Sequence, residues 1–72
     1  MCGIVGCIGK NNDREYIING LKTLDYRGYD SAGVAFLKQD TITIYKDAGS
    51  VEHVNSLIPS SMDGDVLIGH TR

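Results

Sequence analysis

The residue best suited to nucleophilic chemistry is Cys2, the second residue that the sequence encodes. Removal of Met1 would leave a thiol and a free α-amine on this one residue. Because the reference pKa values of an α-amine and a cysteine thiol differ by less than about one unit, proton transfer from sulfur to nitrogen costs roughly 1 kcal/mol. Cys2 would then carry its own general base. On its position alone, however, Cys2 is better explained as a small buried thiol near a chain terminus.

Two further segments carry groups that could bind a substrate. Residues 26–33 read Tyr-Arg-Gly-Tyr-Asp-Ser-Ala-Gly, which combines a guanidinium, a carboxylate and two glycines in one short connection. Taken alone, this segment is better explained as a turn with an ion pair between Arg27 and Asp30. Arg72 follows the last predicted strand, and its guanidinium fork suits bidentate binding of a carboxylate. A solvated charge explains Arg72 equally well.

The sequence contains no motif for a metal ion or a nucleotide. Cys2 and Cys7 are five residues apart and miss the C-x-x-C spacing of zinc and redox sites. Gly3, Gly6 and Gly9 recur at intervals of three, which matches neither G-x-G-x-x-G nor the Walker pattern. We therefore expect no metal and no cofactor.

Four other polar residues receive structural interpretations. Cys7 is expected to be a core thiol within the first strand. His53 is expected to be a surface or hydrogen-bonded histidine of the second helix. Asp63 and Asp65 flank a glycine and are interpreted as a turn, which is too short for a calcium-binding loop.

Length and composition limit the class of protein. The 72 residues carry 7 basic and 9 acidic side chains, a net charge of −2, which argues against a nucleic-acid binder. The longest apolar runs fall far short of the ~20 residues of a membrane helix. The sequence has two cysteines that are not expected to form a disulfide and no visible export signal, so we expect the protein to be in the cytoplasm. One small core gives marginal stability, so we expect a homo-oligomer or a piece of a larger domain.

Hydrophobic periodicity predicts an α+β chain with the order β-α-β-β-α-β. The first strand covers Cys2–Gly9 and is followed by a turn at 10–12 and a helix over about 14–25. Two strands then form a hairpin through a two-residue connection, Gln39-Asp40. Ser50 is a predicted N-cap for a second helix, which Pro59 ends. The last strand is predicted over Asp65–Gly69.

Three motifs in this order resemble one known family. They are Met-Cys-Gly-Ile-Val-Gly at 1–6, the segment at 26–33, and Gly-His-Thr-Arg at 69–72. Together they resemble the start of the glutaminase domain of class II glutamine amidotransferases, which are N-terminal nucleophile hydrolases. The motif at 26–33 is the most specific of the three. It resembles the family members that aminate fructose-6-phosphate rather than those of the purine and asparagine branches.

The resemblance implies a fold and site residues. The fold would be a four-layer α-β-β-α sandwich, to which residues 1–72 contribute strands and two helices. Cys2 would attack the side-chain amide of glutamine, Arg27 and Gly28 would line the site, and Arg72 would bind the α-carboxylate of glutamine. Ammonia would pass to fructose-6-phosphate in an isomerase domain. In the family, the oxyanion-hole residues lie beyond these 72 residues, so we expect the piece alone to be inactive or nearly so.

Two alternatives remain open at this stage. The chain could be a non-catalytic β/α module that associates through unpaired sheet edges. It could also be a class II amidotransferase that delivers ammonia to another acceptor.

Overall fold

A computed structural model describes residues 3–24 and 31–72 of the chain. The elements are β1 (Gly3–Asp13), α1 (Arg14–Leu24), β2 (Ser31–Lys38), β3 (Thr41–Ala48), α2 (Val51–Leu57) and β4 (Asp63–Thr71). The predicted α+β class and the order β-α-β-β-α-β are both confirmed. This arrangement is consistent with a piece of an N-terminal nucleophile hydrolase sandwich.

The described strands form one antiparallel sheet in the order β1-β4-β2-β3. The hairpin of β2 and β3 turns at Gln39 and Asp40, as predicted, and Gln39 adopts a positive φ of 53° there. The last strand, β4, inserts between β1 and β2. As a result, segments from the beginning, the middle and the end of the chain lie side by side.

Both helices pack on one face of the sheet. Helix α1 lies against β1 and β4, and α2 lies against β2 and β3. The core between the two layers contains ten buried apolar side chains: Ile17, Ile18, Leu21, Ala32, Val34, Phe36, Val51, Val54, Ile58 and Leu67. Because strand side chains alternate between faces, every second residue of β2 enters this core.

Glycine on the sheet allows α1 to approach β4 closely. A Cβ built on Gly69 would lie 2.9 Å from Ile17 Cγ1 and 2.9 Å from Leu21 Cδ1. The side chains of Ile17 and Leu21 are fully buried at this contact. A larger residue at position 69 would hold the helix farther from the strand. The position of α1 therefore depends on a strand residue without a side chain.

The start and end of α2 follow the predicted signals. Ser50 has an extended backbone, and its hydroxyl accepts a hydrogen bond from the His53 N–H at 3.0 Å. At the other end, the Ile58 N–H bonds to the Asn55 carbonyl, and Pro59 follows. The N-cap that the sequence predicts at Ser50 is therefore formed.

Two predicted turns are wrong. Residues 10–12 belong to β1, whose pairing with β4 shifts register between Ile8 and Asn12. Asp63 and Gly64 belong to β4, where Gly64 pairs with Asn12, while Asp65 lies in this strand as predicted. Their polar and glycine-containing sequences are typical of turns, but here the two segments pair with each other. Tertiary pairing overrides the local preference.

No helix in the described part of the chain is long and apolar enough to cross a membrane.

Candidate functional site

The three motifs meet at one end of the sheet. Gly3, directly after Cys2, pairs with Thr71 across β1 and β4. Thr71 also pairs with Ala32 on its other side. Ser31 begins β2, and its carbonyl accepts a hydrogen bond of 2.9 Å from the Arg72 N–H, while the reverse bond from Ser31 to Arg72 is 3.5 Å. Strands β1, β4 and β2 therefore bring the flanks of all three motifs together.

The end of α1 lies at the same place. A Cβ on Gly3 would meet Leu24 Cδ1 at 2.9 Å and Leu24 Cβ at 3.2 Å. Leu24 is the last residue of α1 and Ser31 is the first residue of β2. Leu24 therefore lies beside the beginning of β1, and Ser31 lies beside Arg72 at the same end of the sheet.

Thr71 and Arg72 differ in their surroundings. Thr71 is the buried polar side chain among the described residues, with 4% of its surface exposed, and its hydroxyl oxygen would be 3.2 Å from a Cβ on Gly3. Arg72 is exposed at the end of β4. Its backbone is fixed by Ser31, while its guanidinium is in contact with solvent. Such a group can form a bidentate pair with a carboxylate ligand.

Three of the four predicted site residues lie outside the described residues. They are Cys2, Arg27 and Gly28. The proposed Arg27–Asp30 ion pair lies in the same undescribed segment. Their roles, like that of Arg72, stay predictions, although their described neighbours in sequence converge on one end of the sheet.

The other candidates have structural positions. Cys7 keeps its thiol, is half-buried and packs against the core, as predicted. His53 Nε2 lies 3.0 Å from Asp47 Oδ2, so this histidine has a hydrogen-bonding partner on β3. Asp63 pairs with Lys38 at 2.7 Å. Cys7 and Asp63 lie away from the end of the sheet where the motifs meet, whereas Asp47 pairs with Ala32 and is therefore in the same row as Thr71.

Hydrogen bonds determine the pKa of Asp47. The bond from His53 and, second, the bond from the Ala48 N–H at 2.8 Å lower the pKa of Asp47 below its ordinary value of 3.8. Both groups are exposed, so the interaction is a surface one.

Sequence reasoning missed the positioning role of Thr71. In the motif Gly-His-Thr-Arg, residue type points to the arginine, but Thr71 is the residue that pairs with both Gly3 and Ala32. Leu67 and Thr71 each lie two positions from Gly69. Because strand side chains alternate between faces, this spacing indicates that Thr71 faces the helices, as Leu67 does. Its pairing partners, in contrast, depend on the strand order.

Comparisons with known proteins find relatives that match the whole chain. The chain is 50% identical over 72 residues to a glutamine–fructose-6-phosphate aminotransferase (isomerizing) of Listeria innocua. Proteins of the same name are 49% identical to it in Listeria monocytogenes, over 72 residues, and in Staphylococcus aureus, over 73 residues. No protein-family model matches the chain.

Each of these matches includes 100% of this chain but 12% of the relative, so the chain spans about one eighth of the length of the curated relatives it matches. The matched region is the N-terminal part of the relative, which includes the glutaminase. The resemblance drawn from the three motifs is confirmed. Over its whole length, this chain is therefore homologous to the N-terminal part of the glutamine–fructose-6-phosphate aminotransferases.

Proposed function

We propose that residues 1–72 form the nucleophile-bearing part of a glutaminase domain, in which Cys2 releases ammonia from the side-chain amide of glutamine. The observation that carries this proposal is the convergence of the three motifs. Gly3 pairs with Thr71, and Ser31 exchanges backbone hydrogen bonds with Arg72. Cys2 directly precedes Gly3, Arg72 makes one of these contacts itself, and Arg27 and Gly28 precede Ser31 by a few residues in the sequence.

The chemistry requires the removal of Met1. While Met1 is attached, the nitrogen of Cys2 is an amide and has no basicity. After its removal, the α-amine takes the thiol proton, and the sulfur attacks the amide carbon of glutamine. The C–N bond breaks, the nitrogen leaves with a proton as ammonia, and a thioester remains on Cys2. Water then hydrolyses the thioester to glutamate and regenerates the thiol.

Substrate binding is assigned to three residues. Arg72 holds the α-carboxylate of glutamine, which agrees with the solvent contact of this side chain at the end of β4. Arg27 and Gly28 line the site beside the α-amine of Cys2. These assignments rest on the resemblance of segments 26–33 and 69–72 to the family motifs, and on the short distance along the chain from each to Ser31 or Thr71.

The acceptor of the ammonia is proposed from the relatives. Their name identifies glutamine and fructose-6-phosphate as the substrates. We propose the same acceptor for the protein to which these residues contribute, with glucosamine-6-phosphate as the product. The proposed compartment is the cytoplasm, since a thiol nucleophile works best under reducing conditions.

A chimera tests this function in a complete protein. Residues 1–72 of this chain replace the matching N-terminal residues of the Listeria innocua relative, which align over 72 residues. We expect the chimera to hydrolyse glutamine, to lose hydrolysis on Cys2→Ala, and to keep it on the matched control Cys7→Ala. Mass spectrometry should show that Met1 is absent and that a glutamine-mimicking electrophile labels Cys2.

Three results would contradict the proposal. These are hydrolysis by the Cys2→Ala chimera, hydrolysis by a chimera that retains Met1, and labelling at Cys7 instead of Cys2. The acceptor is tested separately by measuring glucosamine-6-phosphate. Glutamine hydrolysis without this product, in a chimera whose isomerase part is intact, would retain the glutaminase assignment and reject fructose-6-phosphate as the acceptor.

A further inference from the structure

Thr71 is the buried polar side chain among the described residues, in a core that is otherwise apolar. Only 4% of its surface is exposed, and it lies on the helix-facing side of β4 with Leu67. Removing a hydroxyl group from water costs about 1–3 kcal/mol unless a hydrogen bond replaces the water. Valine would fill nearly the same volume without this cost. The packing of the core therefore does not by itself account for a threonine at this position.

The hydroxyl of Thr71 lies against the backbone of Gly3. A Cβ built on Gly3 would be 3.2 Å from Thr71 Oγ1 and 2.9 Å from Leu24 Cδ1. Gly3 therefore has no side chain at the place where the hydroxyl and the last residue of α1 both reach β1. Because Gly3 is bonded to Cys2, no described residue is closer in sequence to the proposed nucleophile.

Strand pairing fixes the main chain of β4 independently of the Thr71 side chain. Arg72 and Ser31 exchange backbone hydrogen bonds of 2.9 and 3.5 Å, so the N–H and C=O of Arg72 point toward β2. These groups alternate in direction along a strand, and those of Thr71 therefore point toward β1, where its partner is Gly3. A change of the Thr71 side chain leaves these backbone bonds in place, but it removes the contact of the hydroxyl with Gly3.

We propose that Thr71 is a positioning residue of the glutaminase. Its hydroxyl sets how closely Gly3, at the start of β1, approaches Leu24, at the end of α1, and thereby sets the position of the Cys2 sulfur relative to bound glutamine. This inference rests on the proposed function of Cys2 as the nucleophile. Thr71 acts through Gly3 and forms no bond to glutamine.

Two neighbouring residues of β4 thus have different effects on the reaction. A displaced nucleophile slows the attack on bound glutamine, since a misplacement of about 1 Å can cost ~100-fold in rate. Binding of the α-carboxylate is assigned to Arg72, whose main chain is held by Ser31. The side chain of Thr71 should therefore determine kcat, whereas the side chain of Arg72 should determine KM.

Steady-state kinetics of the chimera with the Listeria innocua relative tests this role. Thr71→Val removes the hydroxyl and keeps the volume, so kcat for glutamine hydrolysis should fall by at least ~10-fold while KM changes by less than ~2-fold. Thr71→Ser retains the hydroxyl and should keep most of kcat. The matched control is Thr43→Val, the same substitution at a half-buried position of β3 that pairs with Phe36, and it should keep both wild-type values.

Two reagents distinguish the position of the Cys2 sulfur from its reactivity. A glutamine-mimicking electrophile binds before it reacts, so its rate of labelling Cys2 should fall in Thr71→Val by the same factor as kcat. Iodoacetamide reacts without binding as glutamine does, and its rate at Cys2 should be unchanged in this variant. The final extent of labelling by the glutamine mimic counts the correctly formed sites. Expressing kcat per labelled site removes any contribution from unfolded protein.

A second variant tests the same contact from the other side. Gly3→Ala displaces the hydroxyl without removing it, and it should also lower kcat per labelled site at an unchanged KM. The inference is overturned, with Cys2 still the nucleophile, by a wild-type kcat in Thr71→Val or Gly3→Ala, by a loss of kcat in Thr71→Ser as large as that in Thr71→Val, or by a raised KM with an unchanged kcat. Glutamine hydrolysis by the Cys2→Ala chimera overturns the proposed function as well.

Discussion

Gly3 and Thr71 lie opposite each other across β1 and β4, and a Cβ on Gly3 would be 3.2 Å from Thr71 Oγ1. The same Cβ would lie 2.9 Å from Leu24 Cδ1. The end of α1, the beginning of β1 and the end of β4 therefore meet around one residue without a side chain. This contact fixes the position of Gly3 at the beginning of β1.

The first prediction concerns the packing at Gly3. Gly3→Ala should lower the free energy of unfolding by about 1–3 kcal/mol, because the added methyl group must displace Leu24 or Thr71. Gly6→Ala is the matched control on the same strand, since its Cβ would meet only the Leu67 carbonyl oxygen, at an ordinary 3.6 Å. Urea unfolding followed by circular dichroism measures both. Equal destabilisation at the two positions would contradict the packing argument.

The second prediction concerns Arg72 in the chimera with the Listeria innocua relative. Arg72→Ala should raise the KM for glutamine by about 10- to 100-fold, the effect of losing a charge-assisted hydrogen bond to a carboxylate. The change in kcat should be smaller, because the arginine binds a part of glutamine that does not react. Arg72→Lys keeps the charge but loses the bidentate geometry, and it should give an intermediate KM.

Steady-state kinetics with glutamine measures these values, and a substrate analogue without the α-carboxylate provides the control. Arg72→Ala should change the rate with this analogue very little. If the variant loses kcat with an unchanged KM, or is impaired equally with the analogue, Arg72 does not bind the carboxylate.

Much of the fold follows from local sequence. The apolar spacing of Ile17 and Leu21 predicts α1, the turn at Gln39 and Asp40 predicts the β2–β3 hairpin, and Ser50 predicts the start of α2. All are correct because each signal acts within a few residues. The site is predictable only in part. Cys2, Arg27 and Arg72 can be selected by type and motif, but the strand order β1-β4-β2, which brings Gly3, Thr71 and Ser31 to one end of the sheet, cannot be predicted from them.

The errors have a common physical origin. Ile4 and Ile8 of the first strand lie on the sheet face opposite the helices and are largely exposed, which the apolar sequence of this strand does not indicate. Residues 10–12 and Gly64 have the composition of turns, yet they pair as the ends of β1 and β4. Whether a strand continues, and which of its faces is covered, depends on residues far away in sequence. Local propensity contains no information on either.

The third prediction concerns the N-cap of α2. Ser50→Ala removes the acceptor of the His53 N–H and should lower the free energy of unfolding by about 1 kcal/mol. Ser50→Asp should retain this stability, because aspartate is an equally good N-cap and its charge is favourable at a helix N-terminus. Asn19→Ala changes an exposed residue within α1 and is the control for a helix substitution that removes no cap. Chemical denaturation measures all three. A loss of stability in Ser50→Asp equal to that in Ser50→Ala would show that the cap bond contributes nothing.

The fourth prediction concerns the acid dependence of stability through Asp47. The hydrogen bonds from His53 and Ala48 lower the pKa of Asp47 below 3.8 in the folded chain. A carboxyl whose pKa is lower in the folded state stabilises the protein above its unfolded pKa, and this contribution disappears as the pH falls through the folded value. Between about pH 6 and about pH 2, the melting temperature of the wild type should therefore fall more steeply than that of Asp47→Asn. Asp40→Asn is the matched control, because it removes a carboxylate in the β2–β3 turn without changing the Asp47–His53 pair, and it should follow the wild-type curve. A constant difference in melting temperature between Asp47→Asn and the wild type across this range would show that Asp47 does not titrate with folding.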